Sequence, residues 1–229
     1  MEIHKPKAAH SWREFLIEIG TIICGILIAL GLEQAVEWSR TQAEVREARK
    51  ALDAEIASNL WVLDFNSGQI VCFNQRLDEL KRWRSSPSAW RLLWSSATPY
   101  WTFNTSVWQV ASAGVLSKLP FEARVDYAQM NHNFETEGRL FEQTLPHLSD
   151  LDELTRHSKI DEALGARFDR DMSMIASDYR IYELNARLIR AKAKALGIAR
   201  SNASDEETRA TAEREHAASC RSILERRAR

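Results

Sequence analysis

A chain of 229 residues with only 8 Gly and 5 Pro has few turn-formers. Its 29 Ala add a helix-forming bias, which argues against collagen-like, sandwich and propeller architectures. Lys and Arg number 31 against 32 Asp and Glu, so charge alone draws it to neither nucleic acid nor membrane, and three Cys support neither a disulfide-dense scaffold nor a cysteine-rich zinc site. The fold expected is all-α: an amino-terminal transmembrane helix continuing into a long helix, then a carboxy-terminal helical bundle.

Residues 1–14 read as a cytoplasmic tail and residues 15–36 as the span. Ile19 to Leu32 contains no charge, and Phe15, Leu16 and Ile17 before it with Ala35 and Val36 after it bring the run to about the 20 residues a bilayer core needs. Trp12 and Trp38 bracket the run as interface anchors, about 39 Å apart along a helix at ~1.5 Å per residue. No small-x-small cleavage site follows; Glu33 to Glu37 carries the pattern straight into more helix, which favours an uncleaved anchor over a signal peptide. Lys5, Lys7 and Arg13 precede the span against Arg40 and Arg46 beyond it, so the positive-inside rule puts the amino terminus in the cytoplasm and the rest of the chain outside.

Within the span, Thr21, Gly25 and Ala29 form a small-residue stripe at four-residue spacing, the pattern that permits close helix–helix packing in lipid. Glu18 shares that face. It either snorkels to the headgroups, pairs with Arg13 or a neighbouring chain, or serves as an intramembrane ion site.

Glu18-Ile19, the run Gly25-Ile26-Leu27-Ile28-Ala29-Leu30 and Trp38 resemble the opening of an uncharacterised bacterial family of single-span proteins, with an E-I-x(5)-G-I-L-I-A-L motif and a helical domain after it. Thr105 to Trp108 and Ser112 to Leu116 resemble a second patch of that family, and the likeness covers about a quarter of the chain. Gly31 to Gln34 depart from the family's pattern. The resemblance implies anchoring in a bacterial inner membrane and a helical domain, here periplasmic by the charge bias. It implies no activity, because the family has none assigned.

Residues 37–84 continue the helix. Val45, Ala48, Leu52, Ile56, Leu60 and Leu63 recur at threes and fours, and the stripe extends through Ile70, Phe73, Leu77 and Leu80. The spacing predicts one helix from about Ser11 to Arg84; a break at Gly68 is the alternative. Residues 85–106 form a Trp-rich irregular segment with a short helix over 89–95. Trp90, Trp94 and Trp101 there either fill core, stack on a ligand or lie on a membrane surface. Residues 107–229 read as the helical domain. One helix covers 106–118, one starts at Pro120 and stops at Pro146, and a short one follows around Leu148 to Leu154. A longer helix closes at Gly197, and a Ser204–Glu207 capping box opens a last polar helix to about Arg226.

None of the six His has the spacing of a known metal motif, and no phosphate loop or nucleophile elbow occurs. Asp150, Asp152, Glu153, Asp161 and Glu162 fit acidic helix amino termini. Arg187, Arg190 and Lys194 share a face that is either solvated or meets phosphates. Cys24 lies in the span, whereas Cys72 and Cys220 fall on helices beside apolar residues, so they either bridge or stay as two thiols too far apart to do so. Together these readings give a non-enzymatic, self-associating scaffold or partner-binding protein. It needs no metal or cofactor and no nucleic acid; its partners are membrane lipid, its own copies and an unidentified protein. The alternatives are an oligomeric ion- or proton-coupling component using Glu18, and an extracytoplasmic ligand sensor using the Trp-rich loop.

Overall fold

The computed structural model describes residues 12–94, 100–157, 160–202 and 205–226. The protein is all-α, with one small antiparallel strand pair. α1 runs Trp12–Ser85, α2 Ser106–Ser112, α3 Phe121–Thr155, α4 Glu162–Ala195 and α5 Glu206–Ser219, with a 3-10 turn at Val115–Lys118. α1 is unbroken at Gly68. The chain divides into two compact units, Met1–Ala48 and Arg49–Arg229.

In the first unit, α1 has a mean hydropathy of 2.4 over its most apolar stretch and is exposed along it, so one helix is long and apolar enough to cross a membrane.

The second unit is a helical core. α3 and α4 pack closely on each other as a hairpin, with Met130, Phe134, Leu151 and Leu154 of α3 and Phe168, Ile175, Ala186 and Ile189 of α4 all buried. α1 joins through long side chains: Phe73 meets Tyr179 edge-on with centroids 5.5 Å apart, Tyr127 donates to Asp53 at 2.6 Å, and Arg190 reaches Asp64 at 2.9 Å and Ser67 at 2.8 Å. The apolar stripe of α1 from Leu52 to Leu80 is the face that sinks into this core.

Three polar residues on that same stripe are also buried, and they hold the 101–108 segment by its backbone. Asn66 accepts from Trp101 N–H at 3.0 Å and donates to Trp101 C=O at 2.8 Å. One heptad earlier, Asn59 does the same to Asn104, at 2.9 and 2.6 Å. Glu55 accepts from the N–H groups of Val107 and Trp108 at 2.7 and 3.1 Å, satisfying free amides at the start of α2.

Several local expectations are corrected. Pro146 lies inside α3, which continues to Thr155. A proline costs a helix roughly 3 kcal/mol, but burial of Leu148, Leu151 and Leu154 just beyond it against the core outweighs that. Asp150, Asp152 and Glu153 are therefore near a helix carboxy terminus rather than an amino terminus. Arg156 answers Asp152, and Arg167 and Arg170 lie within 4 Å of Asp150. The short helix over 89–95 is instead a strand: β1, Trp90–Leu92, pairs with β2, Leu224–Arg226. The last helix accordingly ends at Ser219, not near Arg226. Its cap is Asp205, whose carboxylate accepts from Thr208 N–H at 2.6 Å; Ser204 lies outside the described residues. α4 closes at Gly197, with φ +74°, a backbone state that favours glycine.

Replacing Asn66 with Ala strands both the N–H and C=O of Trp101, and should lower unfolding free energy by about 2–4 kcal/mol. Asn66→Asp, which keeps the acceptor alone, should recover part of that loss in denaturant titrations.

Candidate functional site

The residues singled out in the apolar span remain apart from any built site. Glu18, Thr21, Gly25 and Ala29 are exposed, as are Trp12 and Trp38, and a side chain added at Gly25 would meet nothing within 4 Å. Thr21 bonds only back to Ile17 C=O at 2.8 Å. Lys5 and Lys7 lie outside the described residues.

The tryptophans of the irregular segment pack inward. Trp101 stands edge-on to Trp61 at 5.0 Å and near Phe65 at 5.4 Å, and its indole N–H donates to Glu215 at 2.8 Å. Trp94 meets Phe73 edge-on at 5.7 Å. Trp90 is half-buried on β1. Trp94 and Trp101 are thus each spent on a different part of α1.

The basic face of α4 is occupied in part: Arg187 and Lys194 are exposed, whereas Arg190 and two neighbouring basic residues are paired. Arg190 and Arg200 both bond Asp64, and Lys192 pairs with Asp126.

The interior holds polar groups that sequence reading did not single out. Glu137 is fully buried in α3, and neither carboxylate oxygen has a well-aligned hydrogen-bond partner among the described residues. Burial first, and then the charge of Glu183, push its pKa up from 4.5 to about 8; the Asn185 amide and the Arg190 charge pull the other way. Tyr100, whose hydroxyl donates to Glu137 C=O at 3.3 Å, and Tyr182 are both shifted upward by burial. Nearby, Asn66, Gln69, Tyr100, Thr144, Tyr179 and Tyr182 help line a cavity of about 10 Å³. That is the size of a single water and too small for an organic ligand. Asp171, also fully buried, faces His147 at 3.1 Å and Arg170 at 3.2 Å, whereas Asp169 pairs with Arg84 at the surface. Asp171 is thus partnered across helices by His147, whereas the Glu137 carboxylate and the Tyr179 and Tyr182 hydroxyls have no well-aligned hydrogen-bond partner among the described residues.

The last cluster stands at the α1–α5 junction. Cys72 and Cys220 are joined as a disulfide with Cα atoms 4.6 Å apart, and Cys24 is free. His216, one turn before Cys220 on α5, places Nδ1 3.9 Å from Cys72 Sγ and Nε2 3.7 Å from Cys220 Sγ. Arg76 donates to Ala218 C=O at 2.9 Å, and Glu79 accepts from Ser222 Oγ at 2.8 Å and Ile223 N–H at 2.7 Å. Cys72, Arg76 and Glu79 follow one another at spacings of four and three on α1, so a single helix face grips the end of α5 and the chain after it. The only sequence signal for the trio is the His-x3-Cys spacing at 216 and 220, which puts both side chains on one helix face; Cys72 comes from 148 residues away. His216 also borders an open groove of about 600 Å³, with Trp61, Gly68, Arg209 and Glu213 among its walls.

Comparison with family models, with curated proteins and with solved structures finds no match to this chain.

Two outcomes follow. Below pH 4.5 Glu137 is protonated both folded and unfolded, and its contribution to stability is complete. As pH rises the unfolded chain releases the proton while the folded one keeps it, so stability falls until about pH 8 and then levels. Glu137→Gln should flatten that decline and raise stability at pH 8 by about 1–3 kcal/mol, read from denaturant midpoints across pH. Separately, unfolding the unreduced protein should expose one reactive thiol, that of Cys24; three would show that Cys72 and Cys220 are unbridged.

Proposed function

We propose that this protein is a non-enzymatic, self-associating membrane anchor whose helical domain holds its own copies or a partner at the bilayer. The observation that carries this reading is the uncharged run from Ile19 to Leu32, exposed on every face of α1. Apolar side chains such as Ile22, Ile26 and Leu30 are more than half exposed there. Leaving so large a contiguous apolar surface in water is unfavourable at roughly 25 cal/mol per Å², whereas lipid accepts it without cost. Thr21, Gly25 and Ala29 offer a narrow line for helix-to-helix approach within that lipid. The charge bias of Lys5, Lys7 and Arg13 favours a cytoplasmic amino terminus in a bacterial inner membrane, with the second unit in the periplasm. A disulfide in the second unit suits that oxidising compartment.

Membranes from cells producing the full chain should retain it through an alkaline wash and release it only to detergent; release by the wash alone would reject anchoring. In mild detergent the protein should have the mass of a defined oligomer, and Gly25→Leu should shift it toward the monomer by holding the helices apart. An unchanged mass would place that face against lipid. Glu18→Gln should leave assembly intact, whereas an ion pathway through Glu18 would show as liposome flux lost in this variant. A reporter active only in the cytoplasm, fused after Arg229, should be silent.

A further inference from the structure

We propose that, once its disulfide is opened, the Cys72–His216–Cys220 trio is a binding site for a single thiophilic metal ion of the Zn²⁺ class, so that bridge and metal are alternative locks on the same helix junction. The three donor atoms, one from each residue, lie within 4.8 Å of one another. A tetrahedral zinc ion with Zn–S of about 2.3 Å and Zn–N of about 2.0 Å needs sulfurs about 3.8 Å apart and each sulfur about 3.5 Å from the ligating nitrogen. The imidazole Nδ1 stands 3.9 Å from Cys72 Sγ and Nε2 3.7 Å from Cys220 Sγ; a single ion takes one of the two nitrogens, so the exposed ring turns to bring that one within reach of both sulfurs. The sulfurs also part, by about 2 Å from bonding distance. Cys220 can supply that movement: it is exposed and caps α5, where the helix gives way to the chain leading into β2. Cys72 is held fixed, 1% exposed on α1.

The donor set selects the ion. Two thiolates and an imidazole are soft ligands that favour Zn²⁺ and its probe Co²⁺ over Mg²⁺ or Ca²⁺. The group contains no fourth His, Cys, Asp or Glu among the described residues, so a solvent molecule completes the tetrahedron and the ion is exchangeable rather than sealed in. His216 and Cys220 are exposed, which gives the ion a route of entry. The chemistry balances with a dithiol as reductant. Cleaving the Cys72–Cys220 bond takes two electrons and two protons from the dithiol, which leaves as its own cyclic disulfide; metal binding then displaces the two thiol protons to solvent.

The test uses the full chain in detergent micelles. One half is kept oxidised, and the other is reduced with dithiothreitol and freed of it without air. Both are titrated with Co²⁺, followed by Zn²⁺. Reduced protein should take one Co²⁺ with a thiolate-to-cobalt charge-transfer band that Zn²⁺ erases, and oxidised protein should show no band. His216→Asn should weaken Co²⁺ binding at least about tenfold. Cys72→Ser and Cys220→Ser should each lose the native band, and Cys24→Ser should behave as wild type. Equal titrations of oxidised and reduced protein would overturn the proposal, as would a His216→Asn affinity equal to wild type or a bridge that stays closed in dithiothreitol while the protein is folded. Because the oxidised-against-reduced comparison uses one sequence, it decides the matter even if a cysteine variant fails to fold.

Discussion

The second unit depends on a match of two lengths. Along α1, Asn59 and Asn66 are seven residues apart, about 10.5 Å at ~1.5 Å per residue. Along the extended segment they hold, Asn104 and Trp101 are three residues apart, about 10 Å at ~3.3 Å per residue. Each carboxamide therefore meets the N–H and C=O of one residue and gives it both a donor and an acceptor, as a neighbouring strand would. A segment with no sheet of its own, half-buried at alternate residues, keeps its backbone satisfied against the core. Glu55, one turn before Asn59, extends the line to the free amides of α2. The register of everything from Trp101 to Trp108 is set by three polar side chains on one helix face.

That arrangement explains where the aromatics go. With Trp101 fixed by its backbone, its ring is delivered onto Trp61 and Phe65, and its indole N–H to Glu215 of α5. Tyr100, one residue earlier, stacks on Phe141 with centroids 3.6 Å apart and reaches the α3 backbone beside Glu137. The segment thus joins α1, α3 and α5, three helices with little direct contact among their backbones. Glu137 sits beneath this junction. Its raised pKa reflects the desolvation the junction imposes, and the neutral acid is the form that such an interior tolerates.

The sequence made some of this legible and hid the rest for identifiable reasons. The length of α1 was readable because its apolar spacing persists through Gly68. The apolar run of the first unit was readable because hydropathy needs no tertiary knowledge. The α4 terminus at Gly197 was readable because a positive φ leaves a residue-type signature. Pro146 misled because a local rule was outweighed by three buried leucines two, five and eight residues beyond it. β1 and β2 were invisible because three-residue strands have no period to detect and their partners lie more than a hundred residues apart. Asn59 and Asn66 carry no sequence signal of their role, since what they bond is an unpatterned loop. The chance of a Cys72–Cys220 bridge was countable from three cysteines, but His216 between them was not, because its neighbour Cys72 is distant in sequence.

The cysteine end of α1 also has an energetic logic. α5 buries only Ala212 and Ser219, so hydrophobic burial attaches it weakly. Four direct hydrogen bonds between α1 or Trp101 and the 215–223 stretch, from Arg76, Glu79 and the Trp101 indole, each contribute about 1–3 kcal/mol where charge-assisted and partly sheltered. Closing a loop of 148 residues by a covalent bond adds about 4–5 kcal/mol in the chain-entropy model. The bridge thus matches the lower end of what those polar contacts supply together, and opening it would leave α5 and β2 held by these bonds, the β1–β2 pairing and a few buried side chains. A metal ion drawn by the same two sulfurs and His216 would restore a cross-link at the same place on α1.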